Sequence, residues 1–305
     1  MYQSLRRRFA STTSFIIPPN APLVFRTPLM IANNGVPNGA NGGGIHVLAL
    51  NSPPVNALSS EVLYALAAEI RAANEDKTCK GLILASSSSA SPPLVLPPVR
   101  PFSAGLDVRE MAGASEETFT RFWSGVQEVF IALWPSAVPV VAAIDGPAPA
   151  GGCWLGLLSD ARILADDPKC VIGLNEVALG IVAPTWFARP LQNVVGLRKA
   201  EEMLCEGRLL SPTEALKYGL VDEIAPRGGS VLDAAALRVA RLANVPARAR
   251  AATKLLLRRQ LLNDTLSTPA LRATDLQETW KILGNKDVQR GLNLYMAALA
   301  SRATK

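Results

Sequence analysis

The sequence predicts an α/β fold, in which a core of alternating strands and helices is followed by an all-helical C-terminal region. Three observations lead to this prediction. The chain has 305 residues, of which 49% are hydrophobic, and this is enough to bury a large core. Short apolar segments bounded by turn residues alternate with segments whose apolar residues recur at helical spacing. From about Ser230 to the C-terminus, only the helical spacing remains.

The N-terminal segments differ in composition from the rest of the chain. Residues 1–17 are rich in Arg, Ser and Thr and contain no acidic residue, which is typical of a mitochondrial transit peptide. A disordered basic tail is the alternative. Residues 18–44 are rich in Pro, Asn and Gly, so we expect a flexible linker there and ordered structure from Ile45 onward. We therefore expect the core over residues 45–230 and the helical region over residues 231–305.

The elements of the core follow from local sequence signals. Five apolar segments predict strands: residues 45–50, 81–86, 138–144, 161–165 and 169–176. Apolar residues at helical spacing predict helices at about 60–74, 115–134 and 211–219. The helix at 211–219 has the clearest start signals, because Ser211 can cap it, Pro212 suits its first position and Glu214 completes a capping box. Residues 86–101 are low in complexity and rich in proline, and they predict a surface loop.

Composition argues against several kinds of site. The four cysteines are widely spaced without a CxxC pair, so we expect neither a disulfide scaffold nor a metal site. The one histidine, His46, lies in a predicted strand and leaves no plausible Ser-His-Asp or Cys-His pair. Four arginines before the first acidic residue account for most of the net charge of +6, so we expect no nucleic-acid surface. No segment approaches the ~18 apolar residues of a membrane span.

Two glycine-containing turns and one glutamate could carry chemistry. The first glycine turn is residues 103–107 (SAGLD), and the second is residues 147–153 (PAPAGGC), between a predicted strand and an apolar helix. Because glycine lets a ligand approach the backbone and a helix start presents free N–H groups, the two turns could form an oxyanion hole. Glu176 lies in an apolar segment, where burial would raise its pKa toward that of a general base. Ordinary turns and a solvent-facing glutamate are the alternatives.

Five segments, taken in order, resemble the crotonase superfamily, which has the enoyl-CoA hydratase/isomerase fold. They are PPVNALS (53–59), FSAGLDVREM (102–111), AAIDGPAPAGGC (142–153), SDARILAD (159–166) and GLNEVALGI (173–181). Several motifs in a fixed order are much more specific than any one of them. The resemblance implies a spiral of ββα repeats, with C-terminal helices that assemble the chain into a homotrimer or hexamer. It also implies a fatty acyl-CoA thioester as the ligand.

The same resemblance implies roles for individual residues. The thioester oxygen would lie between the backbone N–H groups of Leu106 and Gly151, and Glu176 would move the proton. The remaining implied residues line the binding site for the substrate, and they are Ala57, Ala104, Gly105, Asp107 and Asn175. Asn175 would hold the ligand or orient the neighbouring carboxylate.

Trp154 separates two branches of the superfamily. Hydratases have two glutamates, one of which follows the Gly-Gly-Cys segment, where this chain has Trp154. The second hydratase glutamate matches Glu176. A single carboxylate suits proton transfer without water addition, so the resemblance implies an isomerase that converts 3-enoyl-CoA to 2-trans-enoyl-CoA in the mitochondrial matrix. It would need no cofactor besides the coenzyme A of its substrate. A hydratase and a catalytically silent acyl-CoA-binding subunit are the alternatives.

Overall fold

A seven-stranded sheet lies at the centre of the fold in the computed structural model, which describes residues 13–303 apart from 19, 34–35, 88–99 and 228. In chain order the strands are β1 (Thr13–Ser14), β2 (Val24–Asn33), β3 (Val36–Leu50), β4 (Gly81–Ser86), β5 (Val140–Ile144), β6 (Ala148–Pro149), β7 (Ala161–Ala165), β8 (Ile172–Gly173) and β9 (Glu223–Ala225). The main sheet has the order β1-β2-β3-β4-β5-β7-β9, and β6 pairs separately with β8. Neighbours from β3 onward are parallel, whereas β2 is antiparallel to β1 and β3.

Ten α-helices occur in the described part of the chain. They are α1 (Ser60–Glu75), α2 (Glu116–Leu133), α3 (Gly151–Leu158), α4 (Thr185–Val195), α5 (Leu197–Glu206), α6 (Pro212–Lys217), α7 (Val231–Ala243), α8 (Ala247–Thr265), α9 (Pro269–Leu283) and α10 (Lys286–Ala303). The side chains of Ser59 and Ser115 cap α1 and α2, and Ser211 forms the predicted capping box with Glu214 at α6. These caps bind N–H groups that a first helical turn leaves free.

Both faces of the central strands are covered by other elements. In β4, Leu82 and Leu84 pack in one apolar cluster with α1 and α2. The alternate residues Ile83 and Ala85 pack in a second cluster with α7 and β2. Because parallel strands buried on both faces need continuous apolar sequence, the predicted strands at 81–86, 138–144 and 161–165 are confirmed, the second as Val140–Ile144.

Ordered structure begins before Ile45, so the linker expected over residues 18–44 is wrong for much of that segment. β2 and β3 form an antiparallel pair within it. The side chains of Val24, Phe25 and Leu29 are buried. The average composition of residues 18–44 did not predict β2. A hairpin near the edge of a sheet tolerates proline and glycine, while a few apolar residues anchor it to the sheet.

The predicted transit peptide overlaps the fold at its C-terminal end. Residues 1–12 lie outside the described part of the chain. Thr13 pairs with Ile31 of β2, and the buried ring of Phe15 lies 6.4 Å from that of Phe25. The boundary expected at residue 17 therefore falls too late, because Phe15 supplies an apolar anchor. Most of the predicted surface loop, residues 88–99, also lies outside the described part.

The C-terminal helices are integrated with the core. Helix α7 covers β4, β5 and β7, so the domain boundary expected at residue 230 falls inside the packed core. Helix α8 is tied down by Lys254, whose buried Nζ lies 2.9 Å from an Asp160 carboxylate oxygen. Burial lowers the pKa of Lys254 to about 8. Arg258, one turn later, donates hydrogen bonds to the carbonyls of Trp134 and Leu158.

No helix in the described residues combines the length and the apolar character needed to cross a bilayer.

Candidate active site

The two glycine turns lie directly against each other. A Cβ atom added to Gly105 would lie 3.1 Å from the backbone nitrogen of Gly151, and one added to Gly151 would lie 3.0 Å from that of Leu106. Within the residues that the structure describes, neither the Leu106 N–H nor the Gly151 N–H donates a hydrogen bond. The fold thus brings together two free backbone donors, as an oxyanion hole requires.

The first glycine turn is held by a neighbouring loop. Gly105 has a φ of +91°, a conformation that favours glycine. The Leu58 N–H donates to the carbonyl of Gly105 at 2.9 Å, and the Leu58 carbonyl accepts from the N–H of Asp107 at 3.2 Å. Since these two contacts flank Leu106 in a parallel bridge, the N–H of Leu106 faces away from Leu58.

The second glycine turn begins α3 with a strained residue. Ala150 has a φ of +48°, and its N–H donates to the carbonyl of Gly173 at 2.8 Å. A conformation of this kind costs of order 1–3 kcal/mol in a residue other than glycine, and it persists where the surrounding structure imposes it. A Cβ on Gly152 would lie 2.6 Å from the carbonyl oxygen of Ser103, so this position requires glycine.

Asn56 holds the loop that precedes α1, and the sequence analysis missed it. Its side chain is buried, its φ is +51°, and its Oδ1 accepts from the N–H of Ser52 at 2.8 Å. Its Nδ2 donates to Ser86 Oγ at 2.9 Å and to the carbonyl of Phe102 at 3.1 Å. The predicted binding residue Ala57 follows directly. An asparagine within PPVNALS was the available signal, because asparagine adopts positive φ more readily than most residues.

Replacing Asn56 with alanine should lower the free energy of unfolding by about 3 kcal/mol, because three hydrogen bonds are lost, two of them buried, and alanine tolerates positive φ poorly. Urea denaturation of the purified variant measures this difference. Asn51→Ala is the matched control, since the Asn51 amide bonds only the carbonyls of Ala21 and Pro22 near the surface. Equal losses in the two variants would contradict the role given to Asn56.

The segment around Glu176 is less extended than the sequence predicted. Of the strand expected over residues 169–176, only Ile172–Gly173 forms one, pairing with β6. The chain then turns, and Glu176 begins a short 3₁₀ helix that Gly180 ends with a φ of +75°. The pairing stops because β6 is itself only two residues long and runs directly into α3.

Glu176 carries a buried carboxylate that has no partner. Its side chain is 8% exposed, and neither oxygen has a hydrogen-bond partner among the described residues. Burial raises the pKa of Glu176 from 4.5 to about 7. Burial, followed by the charge of the same carboxylate, raises the pKa of the Cys153 thiol in α3. A carboxyl group with this pKa exchanges its proton readily near neutral pH.

Replacing Glu176 with glutamine should stabilise the protein at about pH 8. Between the unfolded pKa of 4.5 and the folded pKa of about 7, the folded state holds a proton that the unfolded state releases, so stability falls as pH rises. Above this window the carboxylate destabilises the native protein by about 3 kcal/mol, since one pKa unit is worth about 1.4 kcal/mol. Glutamine cannot ionise and avoids this cost.

Urea denaturation of the native protein and of Glu176→Gln, at about pH 8 and about pH 5, tests whether ionisation of Glu176 controls this stability difference. The advantage of Glu176→Gln should shrink to below about 1 kcal/mol at the lower pH, where the folded carboxyl is neutral. An advantage that does not change with pH would be inconsistent with a raised pKa.

A cavity of about 310 Å³ connects Glu176 to the first glycine turn through Leu106. Gly151 is not among the lining residues. Helix α9 closes one side of the cavity with apolar and polar side chains, namely Leu271, Thr274, Asp275, Glu278, Thr279, Ile282 and Leu283. The rest of the wall is largely apolar and aromatic, and it includes Met111, Phe119, Trp123, Ile181, Trp186 and Phe187. The chain can therefore enclose an apolar ligand beside a proton-transfer group.

Trp154 packs behind two aromatic residues, Trp186 and Phe187, that line the same cavity as Glu176. It is fully buried, and its ring lies 4.4 Å from that of Phe187 in a stacked arrangement. Its ring also meets Trp186 edge-on at 5.7 Å. This position of α3 therefore carries an indole and not a second carboxylate.

The other predicted binding residues lie near the two turns. Ala104 is exposed, and its N–H donates to the carbonyl of Val55 at 2.9 Å. Asp107 is buried, and its carboxylate forms paired hydrogen bonds with the guanidinium of Arg109, so the Asp107 side chain holds the turn. Asn175 precedes Glu176, and its Oδ1 is a buried atom without a partner in the described residues.

The lone histidine lies away from these groups. His46 is on β3, and its Nδ1 is 2.7 Å from Arg26 Nη1. Burial is the main cause that lowers the pKa of His46, and the positive charge of Arg26 lowers it further. No group of three or more His, Cys, Asp or Glu side chains in the described part of the chain is arranged to hold a metal ion.

Sequence comparison finds relatives along most of the chain. The family model described as enoyl-CoA hydratase/isomerase matches residues 40–301. The enoyl-CoA delta isomerase 1, mitochondrial, of Mus musculus is 38% identical over 259 residues, covering 85% of this chain and 85% of that protein. The protein of the same name from Homo sapiens is 38% identical over 258 residues, covering 85% of this chain and 81% of that protein.

Comparison with solved structures also finds enoyl-CoA isomerases and hydratases. The crystal structure of human mitochondrial delta3-delta2-enoyl-CoA isomerase matches with a TM-score of 0.80 at 34% identity, covering 92% of this chain and 99% of that one. An enoyl-CoA hydratase from Bacillus halodurans matches in fold, with a TM-score of 0.71 at 22% identity, covering 90% of this chain and 100% of that one. The crotonase-like α/β fold is thus confirmed, and the chain belongs to the enoyl-CoA hydratase/isomerase family.

Proposed function

We propose that this chain is an enoyl-CoA isomerase that moves the double bond of 3-cis- or 3-trans-enoyl-CoA to the 2-trans position in the β-oxidation of unsaturated fatty acids. The observation that carries the proposal is the single buried carboxylate of Glu176 in an apolar cavity that also reaches Leu106. Relatives named enoyl-CoA delta isomerase, at 38% identity, support it.

In the proposed mechanism, Glu176 removes a proton from carbon 2, which the thioester and the double bond both acidify. The electron pair moves into a dienolate, and negative charge develops on the thioester oxygen. The N–H groups of Leu106 and Gly151 stabilise that charge where it develops. The protonated Glu176 then returns the proton to carbon 4. The reaction balances without a redox cofactor or a metal ion, because the same proton leaves one carbon and joins another.

The environment of Glu176 suits both halves of this cycle. A general base works best when its pKa lies near the working pH, because it must accept and release a proton at comparable cost. The pKa of about 7 meets this condition. The apolar walls keep water from competing for the proton or for the dienolate.

We place the coenzyme A moiety along the outer side of the two turns. Ala104 is exposed there, beside the loop of Ala57, and Gly105 lets the ligand approach the backbone closely. Asp107 contributes through its ion pair with Arg109, which fixes the end of the turn. Asn175 offers a buried, unpaired side-chain oxygen beside the catalytic carboxylate, where it can orient the substrate or Glu176.

The experiment that tests this function is an isomerisation assay on the purified full chain. We expect 3-enoyl-CoA to yield the conjugated 2-trans product, seen as a rise in its ultraviolet absorbance. Incubation with 2-trans-enoyl-CoA is the control, and its absorbance should persist. Loss of that absorbance by hydration would support a hydratase, which Trp154 at the second carboxylate position opposes. Binding of acyl-CoA without either reaction would support a silent subunit.

We further propose that the chain acts in the mitochondrial matrix. The Arg-rich residues 1–17 and the mitochondrial isomerases among its relatives support this assignment. Deleting residues 1–12 from a fluorescent fusion leaves β1 and Phe15 in place and should abolish import. Unchanged mitochondrial fluorescence would contradict targeting by this segment.

We also propose assembly into a homotrimer or a hexamer. Helix α8 presents Leu256 and Leu257 to solvent in the single chain, at 62% and 77% exposure, and these adjacent apolar side chains are available for a contact between subunits. Light scattering of the purified protein should report three or six times the chain mass, and a monomer mass would contradict the proposal.

A further inference from the structure

One carboxylate on α9 accepts hydrogen bonds from two other helices. Asp275 Oδ2 accepts from Trp123 Nε1 at 2.7 Å and from Gln127 Nε2 at 2.8 Å. Asp275 Oδ1 accepts from Trp186 Nε1 at 2.8 Å. Trp123 and Gln127 lie four residues apart on α2 and therefore share a face, while Trp186 belongs to α4.

This arrangement is unusual for an acidic side chain on a C-terminal helix. All three donors are neutral, and among the described residues no lysine or arginine forms an ion pair with Asp275. The nearest basic residue along the helix, Arg272, instead donates to the carbonyl of Leu266 and pairs with Glu128. The carboxylate therefore orients the two indoles instead of neutralising a charge.

Asp275 and the two indoles that it holds all lie in the wall of the cavity. Trp123 and Trp186 both line it, and their rings lie 5.6 Å apart. Trp186 also touches Trp154, which packs behind it. A change in the angle of either indole alters the shape of the space available to an apolar ligand.

We propose that Asp275 is a positioning residue that sets the acyl-chain preference of the enzyme by fixing Trp123 and Trp186. The inference rests on the proposed function, in which Glu176 acts at carbons 2 and 4 of the substrate. Carbons beyond the fourth then extend along the rest of the cavity. A long acyl chain needs the indole walls in their observed orientation, whereas a six-carbon chain ends close to Glu176.

Asp275→Asn changes this hydrogen bonding with little change in volume. The amide keeps one acceptor oxygen, but its NH₂ group replaces the other oxygen and faces an N–H donor. At least one indole must therefore turn away. We expect kcat/KM for 3-dodecenoyl-CoA to fall roughly tenfold, mainly through KM, and that for 3-hexenoyl-CoA by less than about twofold.

The ratio of these two effects separates positioning from general destabilisation. A smaller fraction of folded enzyme lowers both rates equally and leaves their ratio unchanged. Asp275→Glu retains the carboxylate and should recover part of the long-chain preference. Asp287→Asn is the matched control on α10, since Asp287 is exposed and forms an ion pair with Arg290, and it should leave the ratio unchanged.

Calorimetric binding of saturated dodecanoyl-CoA and hexanoyl-CoA reads the same preference without turnover. Asp275→Asn should weaken the binding of the longer ligand selectively. If the native protein binds both ligands but isomerises nothing, the proposed function fails while the test of Asp275 stands. An unchanged ratio of the two dissociation constants in Asp275→Asn would overturn the inference, and so would a native protein that binds neither ligand.

Discussion

Replacing Glu176 with glutamine should reduce kcat for 3-enoyl-CoA isomerisation by roughly two to four orders of magnitude, the usual contribution of a general base. Glutamine has nearly the same shape but cannot accept the carbon-2 proton. Because the cavity walls and the two glycine turns remain in place, acyl-CoA should still bind with a similar dissociation constant. The variant should therefore separate chemistry from binding.

Steady-state kinetics measures kcat, and calorimetric binding measures the dissociation constant for acyl-CoA independently. The native enzyme should also lose kcat/KM as pH falls through about 7, because protonation of Glu176 removes the base. Glu201→Gln is the matched control, since Glu201 is exposed and forms an ion pair with Arg198. Near-native turnover in Glu176→Gln would remove this residue from the mechanism.

Replacing Gly151 with alanine should lower kcat/KM by roughly two to three orders of magnitude, comparable to the loss of one donor from an oxyanion hole. The new Cβ would lie 3.0 Å from the Leu106 nitrogen and 3.1 Å from a Leu58 methyl group. It would therefore push the two turns apart and disturb the spacing between the two N–H groups. The loss should appear mainly in kcat, because charge develops on the oxygen only during reaction.

Gly291→Ala provides the matched control for this change. Gly291 lies in α10, where an added Cβ would meet only the Leu179 carbonyl oxygen at 3.5 Å, an ordinary contact. Activity should be unaffected, and helix propensity favours alanine there. Circular dichroism and thermal melting establish that Gly151→Ala remains folded. A folded Gly151→Ala enzyme with native kcat/KM would exclude the proposed oxyanion hole.

Local sequence signals predicted the elements that local physics controls. The capping box at Ser211 depends on residues within one helical turn, so it can be identified in the sequence. The buried strands β4, β5 and β7 were equally clear, because burial on both faces demands continuous apolar residues. The hairpin that includes Val24–Asn33 was missed, because pairing across an edge leaves few constraints on its composition.

In the candidate site too, some features could be predicted from local sequence and others depend on tertiary packing. Glu176 drew attention as an acidic residue in an apolar segment, but its burial without a partner depends on packing by distant elements. The roles of Leu106 and Gly151 came from motif resemblance. Asn56 and Asp275 were missed, because their partners lie up to 46 and 152 residues away in the chain.

The sequence by itself determined the α/β class, the main strands and helices, and the family, because caps, apolar runs and ordered motifs are recorded in neighbouring residues. Only the tertiary structure decided that two backbone N–H groups meet near an unpaired carboxylate, and that a C-terminal helix closes the cavity beside them. The physical reason is that such convergence depends on packing between segments far apart in the chain, for which no local pattern is required.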